Sequence, residues 1–170
     1  MKVRGLISVI CGLVLAGASV SRADKAAVAP PAGATLLVRL VADGVQIYTC
    51  EAKESRSEWV FKSPEATLFD TSGRQTGTHF AGPSWRLADG SVVVGEVAAR
   101  QDALEAGAIP WLLLRAKSHD GAGILANTTV IRRIETKGGA APKTGCDAAH
   151  VADQARMRYS AVYEFYATEE

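Results

Sequence analysis

Short runs that alternate polar with apolar residues, or that are rich in β-branched residues, recur along most of this 170-residue chain and constrain its fold more than any other feature. In residues 44–50, for example, successive side chains fall on opposite faces of an extended backbone. The other runs are residues 58–62, 91–97, 111–117, 128–134 and 158–166. Such runs are typical of β-strands. They predict an all-β domain with at most short helical turns.

Residue pairs that favour tight turns separate the runs. Glycine takes a positive φ at little steric cost, so a pair ending in glycine suits a hairpin. The pairs are Asp43-Gly44, Ser72-Gly73, Asp89-Gly90 and Asp120-Gly121. Asp89-Gly90 lies between residues 85–87 and 92–94 and is the best hairpin candidate. Residues 98–106 are richer in helix formers and predict one or two helical turns.

The N-terminus has the order of a secretory signal peptide. Lys2 and Arg4 precede an uncharged run of 16 residues at positions 5–20. Small side chains at the −3 and −1 positions of a cleavage site occur both at residues 16–18 and at residues 21–23, and cleavage at the second site removes the whole run. The run is shorter than the ~20 apolar residues of a membrane-spanning helix. We therefore expect cleavage after residue 23 and export to a periplasmic or extracellular compartment, with no membrane span afterwards. A small, Pro-containing linker at 24–33 would lead into one β-rich domain at 34–168.

The charge and the cysteines of the mature chain limit its partners and its covalent structure. Losing Lys2, Arg4 and Arg22 changes the formal net charge from +1 to −2, so there is no basic excess for binding a nucleic acid. Cys11 leaves with the signal peptide, and Cys50 and Cys146 remain. In an oxidising compartment this pair predicts a disulfide, and the alternative is two separate buried thiols.

The architecture must protect the edges of the sheet. The chain supplies roughly nine strand candidates. A β-sandwich and a partly open β-barrel both shield such a sheet, and periodicity does not choose between them. We expect Greek-key-like pairing, because the disulfide would tie the first segments to the last.

Several motifs, in a specific order, resemble those of the DUF3455 family, which is an exported domain family of unknown function. The matching stretches are residues 44–50, 59–61, 64–66, 77–79, 82–85, 89–91, 108–114, 145–147, Tyr159 and 163–166. The resemblance covers about residues 30–167. It implies an exported, β-rich protein and implies no activity. No G-x-G-x-x-G stands between a strand and a helix, and we predict no cofactor.

The densest cluster of reactive side chains lies in residues 77–90. In a hydrolase, Ser84 would be the nucleophile, His79 the base and Asp89 the group that orients the imidazole. Ser84 is not in a G-x-S-x-G elbow, however. The simpler interpretation is that His79 hydrogen-bonds a loop carbonyl near Gly77 or Gly82.

Histidines and tryptophans offer two further kinds of site. His79, His119 and His150 have none of the spacings of a metal motif, so no metal site is predicted. Trp59 and Trp111 are assigned to the core. Trp85 lies beside loop residues, and with His79 it is a candidate for binding a small ligand.

Three hypotheses follow for the function. The first is an exported, disulfide-linked β domain that binds or scaffolds without catalysis. The second is a hydrolase-type or metal-dependent enzyme centred on His79, with Ser84 or Asp89. The third is a carrier of a small apolar ligand near Trp85.

Overall fold

The alternating runs form eight antiparallel β-strands in the computed structural model, which describes residues 27–169. The strands are β1 (Thr35–Ala52), β2 (Ser57–Phe69), β3 (Gln75–Phe80), β4 (Ser84–Leu87), β5 (Val92–Gln101), β6 (Trp111–Asp120), β7 (Val130–Gly138) and β8 (Gln154–Ala167). Within the described residues the one helical element is a 3₁₀ turn, Ile124–Asn127. The predicted all-β class is confirmed. The predicted signal peptide lies outside the described residues.

Each strand pairs with the next one in sequence, and β8 pairs with β1, so the single sheet closes in a ring. This order is a meander, and the expected Greek-key-like pairing is wrong. A Greek key needs a long connection that carries a strand past its neighbours, whereas here each strand returns beside the strand before it. Of the two expected architectures, the ring is closer to the partly open barrel than to a sandwich. Closure gives β1 and β8 the partners that end strands lack.

Two local predictions are wrong for steric and packing reasons. Asp43-Gly44 is not a turn, because β1 continues through it from Thr35 to Ala52. A Cβ at Gly44 would overlap the Glu65 carbonyl oxygen, so glycine there permits the close approach of β1 and β2. Residues 98–101, predicted as helical, extend β5 instead, because they pair with Trp111–Leu113 of β6. Tertiary pairing has overridden a weak helix propensity.

Asp89-Gly90 does form the predicted hairpin turn between β4 and β5. Gly90 has φ +90°, and its N–H donates to the Leu87 carbonyl at 3.1 Å. The Asp89 carboxylate accepts hydrogen bonds from the N–H of Ser91 at 2.9 Å and of Ile124 at 2.8 Å. The 3₁₀ turn is thereby fixed against this end of the ring, where Leu125 is fully buried.

The core fills the interior of the ring towards that end. Its fully buried large side chains include Leu40, Leu68, Trp85, Leu114, Ile131, Tyr163 and Phe165. The Trp85 ring makes edge contacts with Tyr163 and Phe165, with centroids 5.3 and 5.7 Å apart. Edge-to-face packing of this kind adds to the free energy gained from burying the rings.

A buried ion-pair cluster lies on the outer face of the sheet. The Glu164 carboxylate accepts hydrogen bonds from Arg39 at 2.6 Å, from Arg132 at 2.7 Å and from the Tyr166 hydroxyl at 2.8 Å. Arg132 also donates to the carbonyl of Val28, whose side chain is fully buried. Residue 28 of the predicted linker therefore packs against the sheet.

A disulfide joins Cys50 at the end of β1 to Cys146 in the loop before β8, and the two Cα atoms lie 5.4 Å apart. Trp59 pairs with Cys50 across the sheet, and its indole N–H donates to the Thr144 carbonyl at 2.9 Å. The predicted pairing of the two cysteines is present. The structure contains, among residues 27–169, no helix with the length and apolarity needed to cross a membrane.

We expect removal of the disulfide to destabilise the domain without changing its strand order. The bond closes a loop between residues 96 apart, and the chain-entropy model gives a cross-link of that span about 4–5 kcal/mol. The double variant Cys50→Ala/Cys146→Ala should therefore lose about 2–5 kcal/mol in urea denaturation. Wild type in dithiothreitol is the matched control and should lose a similar amount. Equal stability of oxidised wild type and the double variant would contradict a stabilising role.

Candidate functional site

The other end of the ring holds a cavity of about 400 Å³. This volume is within the range of about 300–1,000 Å³ typical of small-molecule sites. The lining residues are Gln46, Tyr48, Phe61, Pro64, His79, Gly82, Pro83, Val97, Arg100, Ile109, Pro110, Leu112 and Arg133. They lie where β1, β3, β5 and β7 end and where β2 and β6 begin, which places them at one end of an antiparallel ring.

Tyr48 and Gly139 fix one wall of the cavity. The Tyr48 hydroxyl donates to the Gly139 carbonyl at 2.7 Å. Gly139 has φ +82°, and a Cβ there would come within 2.7 Å of the Tyr159 Cβ, so only glycine suits this close approach. The Tyr48 ring also packs edge-on against Phe61, with centroids 5.7 Å apart. The aromatic wall is therefore held by contacts that need no ligand.

His79 lies between the core and the cavity, and only 3% of its surface is exposed. Its ring stacks on Trp85, with centroids 4.6 Å apart and planes 7° from parallel. Nδ1 is 2.9 Å from the Ser84 carbonyl oxygen. A carbonyl only accepts, so Nδ1 carries the proton and Nε2 is the acceptor nitrogen of the neutral ring.

The pKa of His79 is lowered from its usual 6.5 to about 3, chiefly by burial and to a smaller extent by the nearby charge of Arg133. The hydrogen bond to the Ser84 carbonyl acts in the opposite direction but is the smaller effect. Moving a charged imidazolium into an apolar site is costly, so the neutral ring is favoured. His79 is therefore neutral at physiological pH.

Arg133 of β7 is one of two arginines of the sheet that line the cavity, and Arg100 of β5 is the other. Arg133 pairs with Leu112 on β6 and with Tyr163 on β8, and directly paired residues project to the same face. Its Nε–H donates to the Pro110 carbonyl at 3.0 Å. Arg133 forms no ion pair with any carboxylate of the described residues, whereas Arg39, Arg56, Arg74, Arg132, Arg156 and Arg158 each do.

Three buried polar groups near Arg133 make no hydrogen bond of ordinary geometry within the described part of the chain. They are Gln46 Nε2, the Tyr159 hydroxyl and the Tyr163 hydroxyl. They face one another and Arg133 closely enough to interact weakly. Burial raises the pKa of both tyrosines, so both keep their protons. A buried polar group without a good hydrogen bond costs about 1–3 kcal/mol, so this end of the ring holds polar groups that are poorly satisfied.

The structure does not assemble the Ser84, His79 and Asp89 arrangement that a hydrolase would need. The Ser84 hydroxyl donates to the Ala81 carbonyl at 3.0 Å, and His79 contacts the Ser84 backbone instead of its side chain. Asp89 binds Ser91 and Ile124 at the opposite end of the ring. The carbonyl that His79 contacts belongs to Ser84, the first residue of β4, two residues beyond Gly82, and such a hydrogen bond suits a structural role.

The tryptophans occupy different places from those expected. Trp85 is 1% exposed and belongs to the core, where β4 directs it inward. It contacts the cavity only through His79. Trp59 and Trp111, which were expected in the core, are only half-buried. Trp85 itself does not line the cavity. The cavity lies on the far side of the His79 ring from Trp85.

The three histidines are dispersed. His119 Nε2 lies 2.7 Å from the Thr128 carbonyl, and His150 Nδ1 lies 2.7 Å from the Asp147 carboxylate. Within residues 27–169 no group of three His, Cys, Asp or Glu side chains could hold a metal ion. Asp147 also accepts from the Ala149 N–H at 2.8 Å, which caps a turn and not a helix.

Sequence reasoning did not single out Gln46, Arg133, Tyr159 or Tyr163 as site residues. A signal was present in the alternation. In residues 128–134, Arg133 shares a face with Ile131, and in residues 44–50, Gln46 shares a face with Tyr48 and Cys50. A polar residue on an otherwise apolar face is informative once the buried face is known.

One family model matches the chain, and its description is "Protein of unknown function (DUF3455)". The match extends over residues 31–167. No curated protein and no solved structure matches the chain.

We expect His79 to make the stability of the protein sensitive to acid. The unfolded chain binds a proton at His79 near pH 6.5, whereas the folded chain excludes it until about pH 3. Between these values the unfolded state holds more protons, so the free energy of unfolding falls as pH falls, by at most about 1.4 kcal/mol per pH unit. His79→Phe keeps an aromatic ring against Trp85 and removes this titration. Urea denaturation of both proteins from pH 7 to pH 4 measures the difference.

At pH 7 the His79→Phe variant should be less stable by about 1–3 kcal/mol, because the Ser84 carbonyl loses its donor. Wild type should lose this advantage as the pH falls. His150→Asn is the control, and its pH dependence should have the opposite sign. Asp147 raises the pKa of His150, so the contact between this exposed pair strengthens in acid, and the stability of wild type relative to His150→Asn should rise as the pH falls. A difference between wild type and His79→Phe that is constant with pH would show that His79 is not neutral and buried.

Proposed function

The chain belongs to the DUF3455 family, whose function is unknown, and from this premise we propose that it is an exported binding protein that holds a small, mainly apolar molecule in the cavity of the ring. The observation that carries the proposal is the asymmetry of the interior. One end of the ring is filled by core side chains and fixed by the 3₁₀ turn, while the other end holds the cavity.

The apolar rim supports a ligand of this kind. Phe61 and Val97 line the cavity and are 48% and 51% exposed. Exposed apolar side chains around a concave site gain free energy when a ligand removes them from water, at about 25 cal/mol per Å². Pro64, Pro83 and Leu112 continue the same apolar surface inward. A ligand would be held chiefly by this burial.

Binding is favoured over hydrolysis because the groups of the supposed triad have other partners. The Ser84 hydroxyl and the Asp89 carboxylate each hold a loop in place. His79 touches the cavity, but a base with a pKa of about 3 accepts a proton poorly near neutral pH. The carrier hypothesis is retained, with its site moved from Trp85 to the cavity beside His79.

Export is supported by the sequence of residues 1–23 and by the disulfide. Disulfides form and persist chiefly in oxidising compartments. The proposal therefore includes removal of the first 23 residues, a short segment over residues 24–33 that docks through Val28, and one ligand-binding domain over residues 34–168.

Blocking the rim of the cavity should abolish binding of an uncharged apolar probe. We expect N-phenyl-1-naphthylamine to fluoresce more strongly with wild type. Val97→Trp should weaken its binding at least about tenfold, because the larger ring occupies the space of the probe. Fluorescence titration measures both affinities.

Val41→Trp is the matched control. Val41 is also a strand valine, is 43% exposed and lies on the outer face of β1, away from the cavity. It should bind the probe as wild type does. Equal weakening in both variants, or no fluorescence change with wild type, would overturn the proposed binding function.

Export predicts a defined mass for the protein recovered from its own host. A denaturing mass spectrum without reductant should match residues 24–170 minus two hydrogens, the loss that accompanies one disulfide. Reduction should restore the two hydrogens. Recovery of the full 170-residue chain with all three of its cysteines as free thiols would contradict both the export and the disulfide.

A further inference from the structure

We propose that the ligand of this cavity is an organic acid with one carboxylate group and an apolar body, and that Arg133 binds the carboxylate. The inference rests on the binding function proposed above and specifies the class of its ligand. It is carried by an arginine that lines the cavity without an anionic partner among the described residues, beside buried polar groups that make no hydrogen bond of ordinary geometry.

The charge of the cavity is positive and unbalanced. Two arginines, Arg133 and Arg100, line it, and no Asp or Glu is among its described lining residues. Arg133 uses Nε for the Pro110 carbonyl, and its two Nη atoms, which lie near the Tyr163 hydroxyl, meet no carboxylate among the described residues. A guanidinium presents these groups in a plane, which suits the two oxygens of a carboxylate.

Arg133 is the stronger anchor of the two. Arg100 is exposed, and a neighbouring depression that it also lines brings in Asp102 and Glu105. These carboxylates reduce the net field at Arg100. Arg133 is half-buried between Leu112 and Tyr163, where the local dielectric is lower and a charge-assisted hydrogen bond is stronger. One interior cation predicts one anionic group on the ligand.

The unpartnered donors lie at the same place. Gln46 lines the cavity and is 2% exposed, and its Nε2 has no partner within the described residues. The Tyr163 hydroxyl, on the residue paired with Arg133, interacts with Arg133 and Tyr159 but makes no hydrogen bond of ordinary geometry. A carboxylate oxygen beside Arg133 would give these buried groups a strong acceptor.

The apolar residues that line the cavity indicate what the rest of the ligand is, apart from its carboxylate. Phe61, Pro83, Val97 and Leu112 offer carbon surface and no hydrogen-bonding side-chain groups. His79 is neutral, so it adds no second positive charge for a dianion. These features favour a monocarboxylate with an aliphatic or aromatic body over a small polyanion.

Isothermal titration calorimetry with matched pairs of probes tests the inference. The acids are octanoate and 4-phenylbutyrate, and the uncharged counterparts are 1-octanol and 4-phenylbutan-1-ol. We expect at least one acid to bind about 10- to 100-fold more tightly than its alcohol, as charge-assisted hydrogen bonds to a half-buried guanidinium imply. Arg133→Gln should remove most of this preference and leave binding of the alcohol within about threefold of wild type.

Arg115→Gln is the control for the change in net charge. Arg115 lies on β6, is exposed and does not line the cavity. It should preserve the preference for the acid. If Arg133→Gln does not fold, Arg133→Lys supplies the second variant: it keeps the charge, loses the planar pair of donors, and should reduce affinity for the acid less than about tenfold while remaining salt-sensitive.

The outcomes separate the two proposals. If acid and alcohol bind equally, or if Arg133→Gln and Arg115→Gln affect the acid equally, the ligand class is wrong and the binding function stands. If none of the four probes binds, and N-phenyl-1-naphthylamine also fails to bind, the binding function is overturned and the ligand class with it. Failure of the four probes alone, with the naphthylamine bound, also rejects the carboxylate.

Discussion

The pairing of β1 with β8 is the constraint on which the rest of the structure depends. The two strands come from opposite ends of the described chain, and their register extends from Thr35 opposite Ala167 to Thr49 opposite Gln154. Closure makes one face of every strand an interior face. The disulfide between Cys50 and Cys146 lies beside the point where β8 begins. The covalent bond and the strand pairing therefore stabilise the same junction. Without this closure neither the core nor the cavity would be enclosed.

Closure also explains why polar side chains are found inside. Apolar side chains do not fill the interior of the ring along its whole length, so the interior has an apolar part and a more polar part. Trp85, Tyr163 and Phe165 fill one half, whereas Gln46 and Arg133 enter the other. Replacing a buried, unpaired polar group by an apolar one is often neutral or stabilising. Keeping several such groups at one end of the ring therefore lowers the stability of the fold. We infer that these groups are present because they bind an acceptor on a ligand.

Much of the fold follows from local sequence, and the site does not. The hairpin at Asp89-Gly90 is readable because turn chemistry is local. Gly44 was misread as a turn because its role, close approach to Glu65 and Ala66 of β2, exists only after the strands have paired. Arg133 and Gln46 are ordinary polar residues in alternating runs, and they become neighbours only through the register of the closed sheet. The sequence also groups His79 with Ser84 and Asp89, which are close to it along the chain, but in the structure the Ser84 hydroxyl and the Asp89 carboxylate bind other groups.

His79 connects the two halves of the interior, and its contacts argue for recognition over catalysis. Stacking on Trp85 and the hydrogen bond to the Ser84 carbonyl fix the ring, and burial keeps it neutral. With the proton held at Nδ1, Nε2 is an acceptor in a fixed position on a residue that lines the cavity with Arg133 and Gln46. A rigid acceptor can orient a ligand without exchanging a proton with it, which agrees with the binding function that we propose. His79, the first candidate for a catalytic base in the sequence, thus forms part of the wall of the cavity.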